Sequence, residues 1–262
     1  MYPFTLEKPT TVADAARLSS AGAKPLAGGQ TLLASMKLRL SAPEQLADLS
    51  GIKELTGIKK DGATLTIGAM SRHLDVANNA DVKAAYPALA DLASRIGDRQ
   101  VRAMGTIGGS VANNDPAACY PSVVLGSGAT VVTDKREIAA DDFFLGMFTT
   151  ALEAGELITA IEFPICERSN YEKFRNPASR YAMVGVFVAK GSFGVRVAIT
   201  GAGQNGVFRH TAMEQALTAD FSPDAISGIT TPSDGLNGDI HASPEYRAHL
   251  IGVMARRAVA AA

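Results

Sequence analysis

The sequence predicts a mixed helix-and-strand protein of the α+β class in two modest domains, on three observations. Its 262 residues suffice for two separate cores. Helical and strand-like apolar spacings alternate through the first half. A break at 164–170 then precedes a strand pair and a final set of helices.

The elements follow in order. Thr11 and Asp14 open an apolar periodic run that stops at Ala21 and Gly22, the pattern of a capped helix with a glycine end. Lys24 to Ala27 reads as a short strand, followed by a turn at Gly28 and Gly29 and a helix over 32–40. A strand at 45–49 follows, then a hairpin pairing 55–59 with 64–67 around Asp61 and Gly62. A helix spans roughly 87–95. Residues 97–121 read as a long glycine-rich loop, and 123–133 as a strand or buried apolar segment. Strand-like pieces at 143–145 and 157–163 complete this half. Beyond the break come strands at 181–189 and 194–200 around a turn at Gly191 and Ser192. Helices follow, the last capped by Ser243 with Pro244 at its first position, placing Tyr246, Leu250 and Met254 on one face.

Composition narrows the function. A net charge of −1 offers no basic field for nucleic acid or anionic lipid. No apolar run reaches the roughly 20 residues of a membrane span, and Met1 to Lys8 lack the pattern of a signal peptide. A cytoplasmic protein is expected. Cys119 and Cys166 are too few for a disulfide scaffold or a four-thiolate iron–sulfur cluster. The four histidines show no metal-ligand spacing, and no nucleophile elbow or triphosphatase loop occurs. Arg99 to Arg102 read as a solvated face or ion-pair donors.

Two glycine-rich segments can carry chemistry. In Leu26-Ala27-Gly28-Gly29-Gln30-Thr31-Leu32-Leu33 the paired glycines let the backbone turn tightly before a helix start, which makes either a phosphate pocket or a plain strand-to-helix turn. Residues Gly105 to Pro116 gather three glycines, short hydroxyl and amide side chains and Asp115. That is either a nucleotide-binding loop or a surface loop rich in turn formers. Their joint presence favours a dinucleotide. Gly201, Gly203 and Gly206 match the spacing of a dinucleotide fingerprint, but Val207 to His210 intervene before the next helix and no parallel strand follows, so they read as a simple turn.

The first segment with Met36-Lys37-Leu38-Arg39, and Ile96 to Arg102 followed by Thr106 to Ser110 and Asp115 to Ala118, resemble the two FAD-binding motifs of the molybdenum hydroxylase flavin subunits. These include the medium subunit of aerobic carbon monoxide dehydrogenase and the flavin portion of xanthine dehydrogenase. The resemblance covers nearly the whole chain. It implies an α+β fold: a two-lobed FAD-binding domain (1–168, lobes of about 1–52 and 53–168), then a C-terminal domain (169–262) with a small antiparallel sheet and helices. It implies FAD in this chain, a small partner subunit with two [2Fe–2S] clusters, a large molybdopterin subunit, and a dimer of heterotrimers. Electrons would pass from molybdenum through the clusters to FAD and on to an acceptor.

By position, Leu26 and Ala27 lead into Gly28, Gly29, Gln30, Thr31, Leu32 and Leu33 along the pyrophosphate. Thr106, Gly108, Gly109 and Ser110 would meet phosphates and ribityl chain, Ile96 and Gly97 the flavin, and Asn113 and Asp115 the nucleotide side. Ile158, Lys173 and Tyr181 would lie near the flavin ring. No catalytic residue and no metal ligand are expected. Cys119 and Arg180 depart from the family, many members of which carry acidic residues there. Either Asp115 compensates for Cys119 or the adenosine end is held more loosely. A stand-alone FAD oxidase or reductase is the alternative enzyme reading, and a scaffold without cofactor the non-enzymatic one.

Overall fold

The computed structural model describes all 262 residues. Its first lobe contains β1 (Thr5–Glu7), α1 (Val12–Ser20), β2 (Lys24–Leu26), α2 (Leu32–Lys37) and β3 (Gln45–Asp48). The three strands are parallel, in the order β1-β3-β2. The Thr11 hydroxyl caps α1 at the N–H of Asp14, as the sequence predicts. The second helix is shorter than expected, because Arg39 turns left-handed at φ 60° and ends the run. Ala15, Leu49, Ile52, Leu55 and Leu157 form a small core.

The second lobe begins with the hairpin β4 (Ile58–Asp61) and β5 (Thr64–Gly68), turning at Gly62 in left-handed conformation. Leu55, expected in this strand, lies in a short 3-10 turn. Then come α3 (His73–Asn78), α4 (Ala80–Ala85), α5 (Pro87–Ser94), α6 (Arg99–Met104), α7 (Ile107–Asn113) and α8 (Tyr120–Gly126). The lobe continues with β6 (Thr130–Thr133), β7 (Glu137–Ala139), α9 (Ala140–Phe143), the small hairpin of β8 (Phe144–Gly146) and β9 (Thr149–Thr150), and β10 (Ile158–Pro164). Strands order as β4-β5-β10-β6-β7, all antiparallel.

The expected loop at 97–121 is therefore corrected: it holds α6, α7 and the start of α8. Asp98 caps α6 by accepting the Val101 N–H, and the Thr106 hydroxyl caps α7 at Gly109. Glycine disfavours a helix in isolation, but tertiary contact demands it here. A Cβ on Gly108 would lie 2.5 Å from that of Ala69. The apolar stretch expected at 123–133 divides, its first part closing the wholly buried α8 and its last forming β6.

The third unit is the antiparallel sheet of β11 (Arg168–Arg175), β12 (Ala182–Gly191), β13 (Gly194–Thr200) and β14 (Phe208–Arg209), with α10 (Thr211–Ala219) and α11 (Pro244–Ala261). The sequence reading missed β11, whose alternation of charged and aromatic residues (Arg168, Tyr171, Lys173, Phe174) is weak. Strand β12 is buried on both faces. Val184, Val186 and Val188 pack on Leu250, Ile251 and Met254 of α11. Phe187 and Ala189 instead join the main core with Tyr86, Tyr120 and Val124. Ser243 caps α11 as predicted, and Tyr246 meets the Phe174 ring edge-on at 6.3 Å.

Candidate functional site

The two lobes and the edge of the third sheet enclose one large cleft of about 1030 Å³. That matches or exceeds the roughly 300–1,000 Å³ of ordinary ligand pockets, as an extended dinucleotide requires.

The first wall is the turn from β2 into α2. Ala27, Gly28, Gly29, Gln30, Thr31 and Leu32 line the cleft. Gly29 is left-handed at φ 74°, and the Gln30 amide donates to the Gly28 carbonyl at 3.1 Å. The N–H groups of Gly28, Gly29, Gln30, Thr31 and Leu32 have no acceptor within the chain. Five successive unengaged donors ahead of a helix start are the chemistry that an anion's oxygens require. Leu26 and Leu33 do not line the cleft. Leu33 Cδ1 lies 2.8 Å and Leu26 Cδ1 3.5 Å from where a Gly29 Cβ would stand, so both pack against the turn.

The glycine at position 28 serves another purpose than room for a ligand. A Cβ there would collide with the Met104 carbonyl and lie 2.7 Å from Gly105 Cα. The two glycine segments thus meet backbone to backbone, and Gly28 is one of the contacts between the lobes.

The second wall runs from Ile96 to Asp115. Ile96 and Gly97 line the cleft just ahead of α6, their carbonyls held by Arg102 Nη1 at 2.9 and 3.3 Å. This gives the Arg99–Arg102 run a structural member. Thr106, Gly108, Gly109, Ser110 and Asn113 contribute the α7 face, and Asp115 follows. The first N–H groups of α7 are already engaged: Ile107 donates to Ser71 (3.0 Å), Gly108 to Ala69 (2.8 Å) and Gly109 to the Thr106 hydroxyl (3.2 Å). This segment therefore presents a ligand with the Ser110 hydroxyl and the Asn113 amide rather than a row of N–H groups. Asp115 spends one oxygen on the Ala117 N–H at 2.8 Å.

The third wall brings Ile158 from β10, Lys173 from β11 and the half-exposed Tyr181. Lys173 Nζ donates to the Arg95 carbonyl at 3.2 Å and lies 3.3 Å from Cys119 Sγ. Tyr181 follows Arg180, which is left-handed at φ 63°.

The sequence reading missed other lining residues: Ala69, Met70 and His73, Phe148 on the β8–β9 hairpin, and 152–157. His73 is nearly fully buried, and its N–H donates to Gly105 at 2.9 Å. Burial, and then the Arg102 charge, lower its pKa to about 4, so the ring is neutral at pH 7. The pairing of Arg72 with Thr106 and the bond to Gly105 bring it here, and no local motif marks them.

The fold and the cleft thus define a dinucleotide-binding protein whose site is assembled from two lobes and a sheet edge. Residues 2–166 match the family described as the FAD binding domain in molybdopterin dehydrogenase, and the chain belongs to that family: it is an oxidoreductase component of the molybdenum hydroxylase class. It is similar to the carbon monoxide dehydrogenase medium chain of Hydrogenophaga pseudoflava, with 33% identity, 99% of this chain and 96% of that one covered. The glyceraldehyde dehydrogenase medium chain of Sulfolobus acidocaldarius is also 33% identical, over 90% of this chain and 89% of its own. The structure of reconstituted CO dehydrogenase from Oligotropha carboxidovorans superposes with a TM-score of 0.89 at 32% identity, covering 100% of this chain and 99% of that chain. No helix is long and apolar enough to cross a membrane.

Proposed function

We propose that this chain is the FAD-bearing electron-transfer subunit of a cytoplasmic molybdenum hydroxylase complex. A small [2Fe–2S] subunit and a large molybdopterin subunit would complete a heterotrimer, paired as a dimer. One observation carries the reading: the unengaged N–H groups of Gly28 to Leu32 belong to residues lining a cleft of about 1030 Å³, room for a dinucleotide. Names of similar proteins support the partners, since several are medium chains of dehydrogenases.

In this reading the FAD-binding domain is residues 1–168 and the C-terminal domain 169–262. The Gly28–Leu32 nest holds the diphosphate, with Leu26 and Leu33 supporting it from beneath. Ser110 and Asn113 hydrogen-bond the ribityl and nucleotide hydroxyls, beside the backbone of Thr106, Gly108 and Gly109. Ile96, Gly97 and Ile158 flank the ring, with Lys173 and Tyr181 at its edge, and Asp115 serves the ribose end. FAD, when bound, supplies the ability to take electrons singly and release them in pairs. The chain's own residues bind it, orient it and exclude water. No side chain is needed as nucleophile.

Affinity purification of the tagged chain from its native host tests this. The expected preparation is yellow-brown, with two further subunits, flavin, iron and molybdenum. A lone chain with full substrate turnover would overturn the subunit reading, and a colourless chain with no affinity for added FAD the cofactor reading.

A further inference from the structure

The turn at Gly201–Gly206 matches a nucleotide fingerprint in spacing yet stands outside the binding motifs. Its contacts give it another role. We propose that Thr200, with the adjoining Gly201 N–H, is a positioning residue for the cofactor cleft, fixing the Pro116–Ala118 turn from the C-terminal sheet. This rests on the FAD reading above.

Asp115, Ala117, Ala118 and Cys119 line the cleft between α7 and α8. Within itself this turn has only the bonds from the Ala117 and Ala118 N–H groups to Asp115. Its outward carbonyls are held by one corner of the third sheet. The Thr200 hydroxyl, fully buried at the end of β13, lies 2.6 Å from the Ala118 carbonyl and 3.0 Å from that of Pro116. The Gly201 N–H donates to Pro116 at 2.7 Å.

That corner is itself braced. Gly201 is left-handed at φ 83°, and a Cβ there would lie 2.9 Å from the Met183 carbonyl. Its carbonyl accepts from Arg247 Nη1 at 3.2 Å, and the same nitrogen donates to Met183 at 2.6 Å. Arg247 is buried on α11 and pairs with Asp239 at 2.7 Å. The chain of contacts runs from the last helix, through the glycine turn, to the wall of the cleft. The first glycine of the fingerprint spacing is required by this packing, not by a nucleotide. Thr200 supplies the one side-chain donor to the Pro116 and Ala118 carbonyls, and if its proton goes Pro116 keeps the Gly201 N–H while Ala118 keeps nothing from the sheet.

The test uses the assembled complex, stripped of FAD and reloaded, carrying Thr200→Val or Thr200→Ser. Three quantities are measured: FAD affinity, thermal midpoint, and the rate at which N-ethylmaleimide labels Cys119 in the FAD-free protein, with Cys166 as internal reference. Thr200→Val is expected to weaken FAD by about tenfold, the worth of one hydrogen bond to a buried carbonyl. It should also speed Cys119 labelling selectively, while Thr200→Ser stays near wild type on both. Thr200→Val with wild-type affinity and wild-type Cys119 protection overturns the inference. So does equal acceleration at both cysteines with a lowered midpoint, which marks general loosening. A wild-type complex that takes up no FAD overturns the functional reading instead, and the labelling arm still decides whether Thr200 holds the turn.

Discussion

His73 makes the protein's stability depend on pH in a window where few other groups titrate. In the native state its pKa is lowered to about 4, first by burial and then by the Arg102 charge. In the unfolded chain it returns to about 6.5. The unfolded state then binds more protons between these values, so stability rises with pH from about 4 to about 6.5 and falls as acid is added through that range. The full difference, about 2.5 pKa units, is worth about 3 kcal/mol, of which about 2 kcal/mol is lost between roughly pH 7.5 and 5. The perturbation is His73→Leu, which removes the titrating ring and the Nδ1 that no group in the chain satisfies. Urea unfolding across that range reads the result. His210, also lowered mainly by burial, contributes equally to both proteins and cancels in the comparison. The wild type should lose about 2 kcal/mol more than the variant over the interval. Parallel pH profiles in the two proteins would refute the reasoning.

Three further outcomes follow from the geometry. Gly28→Ala drives a methyl into the Met104–Gly105 backbone, so flavin content by absorbance should collapse even though alanine leaves the diphosphate turn itself accessible; full occupancy would show that the lobes need not touch there. Glu156 receives Arg136 at 3.0 and 3.1 Å, the Thr133 hydroxyl and the Glu153 N–H, and Arg136 foremost lowers its pKa to about 2; stability should fall as pH drops from about 4.5 towards 2, and Glu156→Gln should flatten that limb of an acid denaturation curve. Asn114 is buried and left-handed, its amide donating to Gly146 at 2.7 Å and Thr149 at 2.9 Å; Asn114→Ala should cost about 2–3 kcal/mol in urea unfolding and quicken hydrogen exchange in the β8–β9 hairpin, and an unchanged midpoint would contradict this.

Elements whose signals are local were legible in the sequence. The Thr11 and Ser243 caps, the Asp61-Gly62 hairpin and the β12–β13 turn each depend on a few neighbouring residues. What failed depended on distant contacts. Glycines at 105, 108 and 109 suggest a loop until Ala69 is seen packed against Gly108, which makes the absence of a side chain an advantage in a helix. The α8 segment is apolar on every side because it is enclosed on every side, and such a run carries no period to separate helix from strand. The cleft was legible in its two glycine segments and, through the family resemblance, at Ile158, Lys173 and Tyr181, but not in the rest. His73, Met70 and Phe148 arrive by strand and helix packing that no spacing announces.

Strand β12 has consequences for any attempt to divide the molecule. One of its surfaces belongs to α11 and the other to Tyr86, Tyr120 and Val124, so the third sheet is as much a lid for the second lobe as a unit of its own. Cleaving the chain near residue 166 would strip Phe187 and Ala189 from the larger core and leave α8 bare to water. Excised halves should bind each other or aggregate, and neither should keep a cofactor that both are needed to enclose.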